Sequence, residues 1–152
     1  MKMTDLLDHD LIIDEFKGET KLDVLQEFSA LLFDRKLIDD KEGLTKVLAA
    51  REALGSTGVG DGVAIPHGKL GGLDRLLLAF GRSRKGIDFD SLDGRPAHIF
   101  FLIIAPDDAP GEHLRALARI SRMMKSGELR DSLMKARGMD ELKMVISEAD
   151  GR

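Results

Sequence analysis

The segment Ala97–Ala105 (AHIFFLIIA) is apolar at every position except His98. A strand with one face in water alternates polar and apolar residues, whereas a near-continuous apolar strand is typical of a sheet covered on both faces. Pro106 follows and closes the strand, because proline has no N–H to donate to a neighbouring strand. This segment therefore predicts an α/β chain in which the other elements are arranged around one buried strand.

Further strands and helices are indicated on both sides of this segment. Short apolar runs predict strands at Leu11–Ile13 (an edge strand or a docking segment), Val63–Ile65 and Arg75–Gly81. Turns are predicted at Gly86–Phe89 and at Asp93-Gly94, with a short extra strand between them. Helical spacing and caps predict helices from Thr20 to Phe33, from Asp39 or Asp40 to Gly55, from Glu112 to Met124, from Ser126 to Arg137 and from Asp140 to Glu148. We expect one α/β domain over residues 1–152, with a mixed parallel and antiparallel sheet of about five strands flanked by helices.

Two of these helices carry predictions about which side faces the core. In the first, Thr20 and Asp23 form a capping-box-like pair, and the stripe that faces the core is predicted to be Leu22, Leu25, Phe28 and Leu32. In the helix that begins near Glu112, the predicted inner stripe is Leu114, Leu117, Ala118, Ser121 and Met124.

Composition excludes several classes of function. The net charge is −4, and the chain has no Trp or Tyr, so neither a basic surface nor abundant aromatic platforms favour a nucleic-acid partner. There is no cysteine for disulfides, thiolate chemistry or cysteine metal sites. No apolar run approaches the roughly 20 residues of a membrane span, and the N-terminus lacks the features of a signal peptide. We therefore expect a soluble, cytoplasmic protein without membrane insertion.

A glycine-rich segment precedes one histidine. Within Arg51–Lys69 (REALGSTGVGDGVAIPHGK), four glycines come before the apolar run Val63–Ile65, which ends at Pro66 and is followed by His67. Glycine lets the backbone approach a ligand closely, and proline fixes the chain direction. The pattern predicts a rigidly held imidazole beside amide-rich backbone, which suits the binding of an anion.

Two familiar nucleotide-binding motifs do not fit this segment. In a P-loop, lysine follows the second glycine, but here Asp61 follows Gly60, and an acid would repel a phosphate. The segment also runs from a helix into a strand, which is the reverse of the P-loop order. The dinucleotide fingerprint fails as well, because Pro66 stands where its helix would continue.

The four histidines differ in their surroundings. His9 lies in a polar segment and is expected to be solvated, and His98 is expected to be a structural imidazole within its strand. For His67 the local sequence leaves an incidental and a functional role open. His113 lies just inside the start of a helix, where free N–H groups and the helix dipole favour an anion, although a surface position is equally compatible. Together, the two would join an imidazole nucleophile to a helix N-terminus.

Arg51 extends the apolar stripe of its helix, which includes Leu44, Val47 and Leu48. One interpretation is that the stem packs while the guanidinium reaches water. The other is that the guanidinium binds an anion, since its planar donors suit phosphate oxygens. The sequence pattern leaves both open.

These residues carry a recognisable signature. The pattern consists of Glu52, a spacer of six residues, Val59-Gly60, a spacer of two residues and then Val63–Gly68 (VAIPHG). It resembles the phosphohistidine signature of type 2 enzyme IIA domains. These domains belong to the bacterial phosphoenolpyruvate-dependent phosphotransferase system, in its fructose, mannitol and nitrogen-related branches. The resemblance extends over nearly the whole chain, including FFLIIAPDDAPGEHLRALARISRMM. The form REALGSTG…GVAIPHGK is most similar to that of the nitrogen-related branch. We also expect a single IIA domain without attached IIB or IIC domains, which agrees with that branch.

The resemblance implies a specific set of roles. His67 would accept and donate the phosphoryl group, His113 would hydrogen-bond its oxygens, and Arg51 would lie near the site, with no cofactor and no metal ion. An HPr-like phosphocarrier would be the donor, and regulatory targets such as a potassium transporter or a sensor kinase would respond to the phosphorylation state. Asp61 departs from the neutral residue expected in many relatives, which raises the question of its distance from the phosphoryl group.

Three other functions remain as alternatives. One is a sugar-specific enzyme IIA that passes the phosphoryl group to a IIB domain for fructose or mannitol uptake. A second is a purely regulatory binding module. A third is a metal-dependent hydrolase that uses His67, His98, His113 and an aspartate, although these histidines lack the H-x-x-x-H spacing of a helical metal pair.

Overall fold

The computed structural model describes residues 6–7 and 9–150. In this part of the chain the strands are β1 (Ile12–Ile13), β2 (Gly58–Gly60), β3 (Val63–Ala64), β4 (His67–Leu70), β5 (Leu77–Ile87) and β6 (Ala97–Pro106). The helices are α1 (Lys21–Asp34), α2 (Lys41–Ala53), α3 (Pro110–Met123), α4 (Gly127–Lys135) and α5 (Gly138–Asp150). The predicted α/β class with a mixed, helix-flanked sheet is confirmed.

Strand β6 lies at the centre of the sheet. Every residue of β6 except His98 is buried, as the apolar run predicted. On one side β5 pairs with it in antiparallel register, and β1 follows beyond β5 in parallel register. On the other side, both β3 and β4 pair with β6 in parallel register, and β2 lies at the outer edge beside β3. The two short strands β3 and β4 therefore occupy successive stretches of the same edge of β6.

The sheet has six strands where about five were expected. Strands β2 and β4 were not predicted, because one is largely glycine and the other has no apolar alternation. Their backbone pairs with β3 and β6 decide their conformation. The predicted strand Arg75–Gly81 is observed as the longer β5, which runs through the predicted turn at Gly86 to Ile87. The extra strand predicted before Asp93 is wrong, because residues 88–96 form no strand.

The first two helices begin where the capping signals place them. The capping box of Thr20 and Asp23 starts α1, with the Asp23 N–H donating to the Thr20 hydroxyl at 3.1 Å. Asp40, rather than Asp39, caps α2. The predicted inner position of Leu22 is wrong: this side chain is 50% exposed, and Val24 lies on the buried face instead.

Helix α3 is turned relative to the predicted stripe. Its buried residues are His113, Ala116 and Ile120, and Leu114 is 67% exposed. Apolar residues cover a wide arc of this helix, so periodicity alone did not distinguish the face that packs on the sheet. The observed orientation brings His113 into the interior.

A buried guanidinium ties the sheet to the C-terminal helices. Arg82 on β5 is fully buried, and its Nε donates to the Asp14 carbonyl at 3.0 Å. Its Nη1 donates to the carbonyls of Leu133 and Ala136, each at 2.7 Å, and its Nη2 contacts the Asp14 carboxylate. A buried charge is tolerated only when paired and hydrogen-bonded, and these bonds meet that requirement.

We expect Arg82→Met to destabilise the fold by on the order of 3 kcal/mol, because it leaves buried acceptors without their donor. Urea unfolding followed by circular dichroism measures the change. Lys85→Met is the matched control, since Lys85 pairs with Glu19 where both side chains are exposed, and it should change stability little. Equal midpoints for the two variants would contradict the structural role of Arg82.

Candidate active site

His67 is the first residue of β4, directly after the interruption at Pro66. The Ile103 N–H donates to the Pro66 carbonyl at 3.0 Å, and His67 itself is paired with Ile103 in the ladder. Proline cannot donate to the ladder, so the edge of β6 is divided into β3 before Pro66 and β4 after it. His67 is thus held by strand pairing rather than by a loop.

The imidazole of His67 is fixed by a backbone acceptor. Its Nδ1 lies 2.7 Å from the carbonyl oxygen of Ile65. A carbonyl oxygen only accepts, so Nδ1 carries the proton in this contact. The neutral ring then has its lone pair on Nε2, which is the nitrogen free to act as a nucleophile.

The fold places His113 beside His67. The two ring centroids lie 5.1 Å apart, and the planes are nearly perpendicular at 88°. His113 is in the first turn of α3 and is 8% exposed. Its Nδ1 is buried and has no hydrogen-bond partner among residues 6–7 and 9–150. The sequence interpretation required His67 and His113 to lie side by side, and the structure places them so.

A cavity of about 600 Å³ opens beside the two histidines. Its walls come from α2, β4 and α3, and the lining residues are Val47, Ala50, Arg51, Leu54, His67, Gly68, Lys69, Pro110, His113, Leu114 and Leu117. Leu54 is 85% exposed, so apolar side chains at the rim face water. The histidines are thus partly enclosed by polar and apolar groups that a partner protein could contact.

Arg51 lies in the wall of this cavity, but its guanidinium is already engaged. Nη1 donates to the Gly55 carbonyl at 2.9 Å, which satisfies an acceptor just beyond the end of α2. The side chain is half-buried. The structure shows Arg51 in the cavity wall with its guanidinium on a backbone carbonyl, and anion binding by this side chain stays a prediction.

Lys69 is a cavity residue that the sequence interpretation missed. It is two positions after His67 on β4, and residues i and i+2 of a strand lie on the same face. Recognising β4 as a strand would have placed its cationic side chain with the imidazole.

Both histidines are shifted toward the neutral form. Burial lowers the pKa of His67 most; the Ile65 carbonyl raises it, Arg51 lowers it, and Glu52 raises it, with a net lowering. Burial also lowers the pKa of His113 most, followed by the charges of His67, Lys69 and Arg51. A lowered pKa keeps the imidazole neutral, and therefore nucleophilic, at and above neutral pH.

The glycine-rich segment is a hairpin and not a loose loop beside the imidazole. Strands β2 and β3 are joined by a turn at Asp61 and Gly62, both with positive φ (57° and 77°). Val63 and His67 pair with Ile99 and Ile103, which places them about 13 Å apart along β6. The expectation that these glycines supply amides at the site is wrong, because none of the four contributes to the cavity walls.

The same hairpin answers the question raised by Asp61. Its side chain is exposed in the turn, on the far side of β3 from His67. Its N–H donates to the Asp93 carboxylate at 3.0 Å. Asp61 is thus remote from the imidazole, and its charge does not conflict with an anion bound there.

The other two histidines lie elsewhere. His98 Nδ1 is 3.0 Å from the Ser83 carbonyl, to which it donates, in agreement with the predicted structural role. His9 is half-buried, contrary to the expected solvated position: its Nε2 contacts the Arg75 guanidinium, and its carbonyl accepts from Arg35 Nε at 3.1 Å.

Residues 6–7 and 9–150 contain neither a cluster of metal-ligating side chains nor a membrane-spanning helix. No group of three or more His, Cys, Asp or Glu side chains is arranged to hold a metal ion, so the hydrolase alternative has no ligand set in this region. None of the helices found there combines the length and apolarity needed to cross a bilayer.

Comparison with known proteins identifies the fold and the family. Residues 5–149 match the family described as "Phosphoenolpyruvate-dependent sugar phosphotransferase system, EIIA 2". A nitrogen regulatory protein of Bradyrhizobium diazoefficiens is 37% identical over 97% of this chain and 95% of its own length. The fructose-specific EIIABC component of Bacillus subtilis is 36% identical over 99% of this chain, which spans 24% of that longer protein.

The fold comparison agrees with the sequence comparison. The crystal structure of the nitrogen regulatory protein IIA-Ntr from Neisseria meningitidis superposes with a TM-score of 0.81 at 32% identity. The match covers 92% of this chain and 99% of that one.

The lowered pKa values of the two histidines predict a pH-dependent stability. In the unfolded chain a histidine titrates near a pKa of about 6.5, and in the folded protein both titrate lower. The unfolded state therefore binds more protons as pH falls through about 6.5, so their contribution to stability is complete above that pH and is lost below it.

We expect the urea midpoint of the wild type to fall between pH 7.5 and pH 5.5, and to fall less in His67→Gln/His113→Gln. Each single variant should give an intermediate fall, which serves as an internal control. The same fall in the wild type and the double variant would show that these two imidazoles do not carry the effect.

Proposed function

Because this chain belongs to the type 2 enzyme IIA family of the phosphotransferase system, we propose that His67 is its phosphoryl acceptor and donor. The observation that supports this most directly is the bond from His67 Nδ1 to the Ile65 carbonyl, which leaves Nε2 as the nucleophilic nitrogen. The donor is an HPr-like phosphocarrier, and both proteins act in the cytoplasm. The phosphorylation state of His67 then controls which partner proteins bind.

The transfer is a direct exchange between two imidazoles. The Nε2 lone pair of His67 attacks the phosphorus of the carrier's phosphohistidine, and the N–P bond of the carrier breaks as the new N–P bond forms. The carrier's phosphohistidine carries a proton on its other ring nitrogen, so the electron pair of the broken bond leaves a neutral carrier imidazole, while the phosphorylated His67 ring keeps its Nδ1 proton on the Ile65 carbonyl. The transition state is loose and its charge is spread over the equatorial oxygens, so positioning and electrostatic stabilisation supply the catalysis.

The groups around His67 suit the charge that arrives. His113 supplies a neighbouring ring nitrogen within the same cavity, and the N-terminus of α3 adds free N–H groups and the positive end of a helix dipole. Arg51 adds a cation at the cavity wall. In this proposal His113 hydrogen-bonds the phosphoryl oxygens, and Arg51 contributes through its charge.

A regulatory output is favoured by the nitrogen-related relatives. The nitrogen regulatory protein of Bradyrhizobium diazoefficiens matches this chain along 95% of its own length. In this proposal, targets such as a potassium transporter or a sensor kinase recognise one phosphorylation state. The fructose-specific relative, at 36% identity, supports a second candidate in which the phosphoryl group passes to a sugar-specific IIB domain.

Substitution of His67 tests the acceptor. Incubation with phosphoenolpyruvate, enzyme I and an HPr-like carrier should give one acid-labile, base-stable phosphoryl group per wild-type chain and none in His67→Ala or His67→Gln. His113→Ala should still be labelled, at least tenfold more slowly, because it loses a stabilising donor but not the nucleophile.

His9→Gln is the matched control, since it removes a histidine far from the cavity and should be labelled at the wild-type rate. Full labelling of folded His67→Gln would disprove the assignment of the acceptor. Unchanged kinetics in His113→Ala would remove His113 from the proposed mechanism.

Transfer from the labelled protein separates the two outputs. Phosphorylated wild-type protein is mixed with fructose- and mannitol-specific IIB domains, and loss of label is followed over time. We expect retention of the label on the regulatory proposal, because no IIB domain is its acceptor. Rapid transfer to one IIB domain would favour the sugar-specific function instead.

A further inference from the structure

A continuous series of hydrogen bonds connects a buried carboxylate to the imidazole of His67. The Nδ1–H of His67 donates to the Ile65 carbonyl at 2.7 Å, and the Ile65 N–H donates to the Thr57 carbonyl at 3.0 Å. The Thr57 N–H donates to Glu52 Oε2 at 3.2 Å, and its hydroxyl donates to Glu52 Oε1. Thr57 and Ile65 are therefore each hydrogen-bonded both to the preceding and to the following residue of the series.

The carboxylate at the start of the series is deeply placed and fully engaged. Glu52 is 8% exposed, and Lys21 Nζ lies 3.1 Å from its Oε2. Lys21 also pairs with Asp90 at 3.1 Å and lies 4.9 Å above the Phe89 ring. A buried carboxylate is costly unless it is paired and hydrogen-bonded, so this arrangement holds Glu52 in a single position.

We propose that Glu52 is a positioning residue for His67: through Thr57 and Ile65 it fixes the carbonyl that keeps the His67 proton on Nδ1 and the nucleophilic lone pair on Nε2. This inference rests on the proposed role of His67 and adds a residue to it. The first position of the family signature thereby acquires a physical role in this chain.

The coupling is mechanical and does not require polarisation along the series. The N–H and the C=O of one residue belong to different peptide planes, so a bond to the first does not directly strengthen the second. What the bonds fix is the orientation of the residue. With Thr57 held at Glu52, its carbonyl is aimed at the Ile65 N–H; Ile65, held in turn, presents its own carbonyl to His67.

Ile65 needs this external support because of its neighbour. It lies outside β3 (Val63–Ala64) and precedes Pro66, which lacks an N–H. The hairpin of β2 and β3 is also weakly specified by its own side chains, since two of the three β2 residues are glycines. The Glu52–Thr57 bonds compensate by attaching the start of this hairpin to the end of α2.

The charge of Glu52 also reaches the imidazole. Burial lowers the pKa of His67 most, and the Glu52 carboxylate is among the groups that raise it. Lys21 balances the carboxylate, so Glu52 can hold Thr57 without leaving an unpaired negative charge beside a phosphoryl group.

The test measures the tautomer of His67 directly. In ¹⁵N-histidine-labelled protein at pH 8, the two ring nitrogens have separate chemical shifts that report which one carries the proton. We expect protonated Nδ1 and unprotonated Nε2 in the wild type, and averaged shifts in Glu52→Ala. The rate of phosphoryl acceptance from the carrier should fall about tenfold in Glu52→Ala, because most His67 rings would then carry the proton on Nε2 and lack the nucleophilic lone pair there. Glu52→Gln retains an acceptor oxygen, so it should partly restore both the separate chemical shifts and the transfer rate.

Glu19→Gln is the matched control, because it removes an exposed, ion-paired carboxylate and should leave the shifts and the rate as in the wild type. Should Glu52→Ala fail to fold, Glu52→Gln and Lys21→Met provide the measurement, with smaller changes expected in the same direction. Wild-type shifts in folded Glu52 variants would overturn the inference. Because the shifts need no phosphorylation, a change in them supports the positioning role even if His67 proves not to be the acceptor.

Discussion

The pairing of β6 with its neighbours determines where the chemistry of this protein lies. Its buried, apolar strand pairs with β5 on one side and with β3 and then β4 on the other. Pro66 separates β3 from β4, because it can accept from β6 but cannot donate to it. His67 therefore begins a strand of fixed register, and its backbone is held before any side-chain contact is considered. Helix α3 follows β6 directly and brings His113 to the same end of the sheet.

Burial has opposite effects on the two states of the proposed reaction. It keeps His67 neutral and nucleophilic by lowering its pKa, but it also opposes the phosphoryl dianion that the reaction would produce. In the proposed reaction, His113, the N-terminus of α3 and the charge of Arg51 would offset this cost. Arg51 is held by the Gly55 carbonyl and is already oriented before a phosphoryl group arrives. Such a balance suits a group that is accepted and then passed on.

The sequence predicted the parts of the fold that depend on local signals. The buried β6 run and the Thr20 cap follow from local patterns. The proximity of His67 and His113 was implied only by the family resemblance. Strand β4 could not be predicted, because its conformation comes from pairing with β6. The face of α3 was mispredicted because apolar residues cover much of its circumference. The proposed role of Glu52 could not be predicted, because the burial of its carboxylate, its bonds to Thr57 and its pairing with the distant Lys21 are set by how α2 and the hairpin pack together and not by a sequence pattern.

The rim of the cavity shows how phosphorylation of His67 would change partner choice. Leu54 and Leu114 are largely exposed beside the half-buried His67 and the buried His113. A partner that covers the unmodified cavity would therefore gain apolar burial while it meets neutral histidines. A phosphoryl group would add about −1.5 to −2 charges at that point. A partner that covers the modified cavity removes water from the phosphoryl group, so it must supply hydrogen-bond donors or cations to replace the lost hydration of this charge. The two states would thus favour partner surfaces of different chemistry, and the proposed covalent change at Nε2 would suffice to separate them.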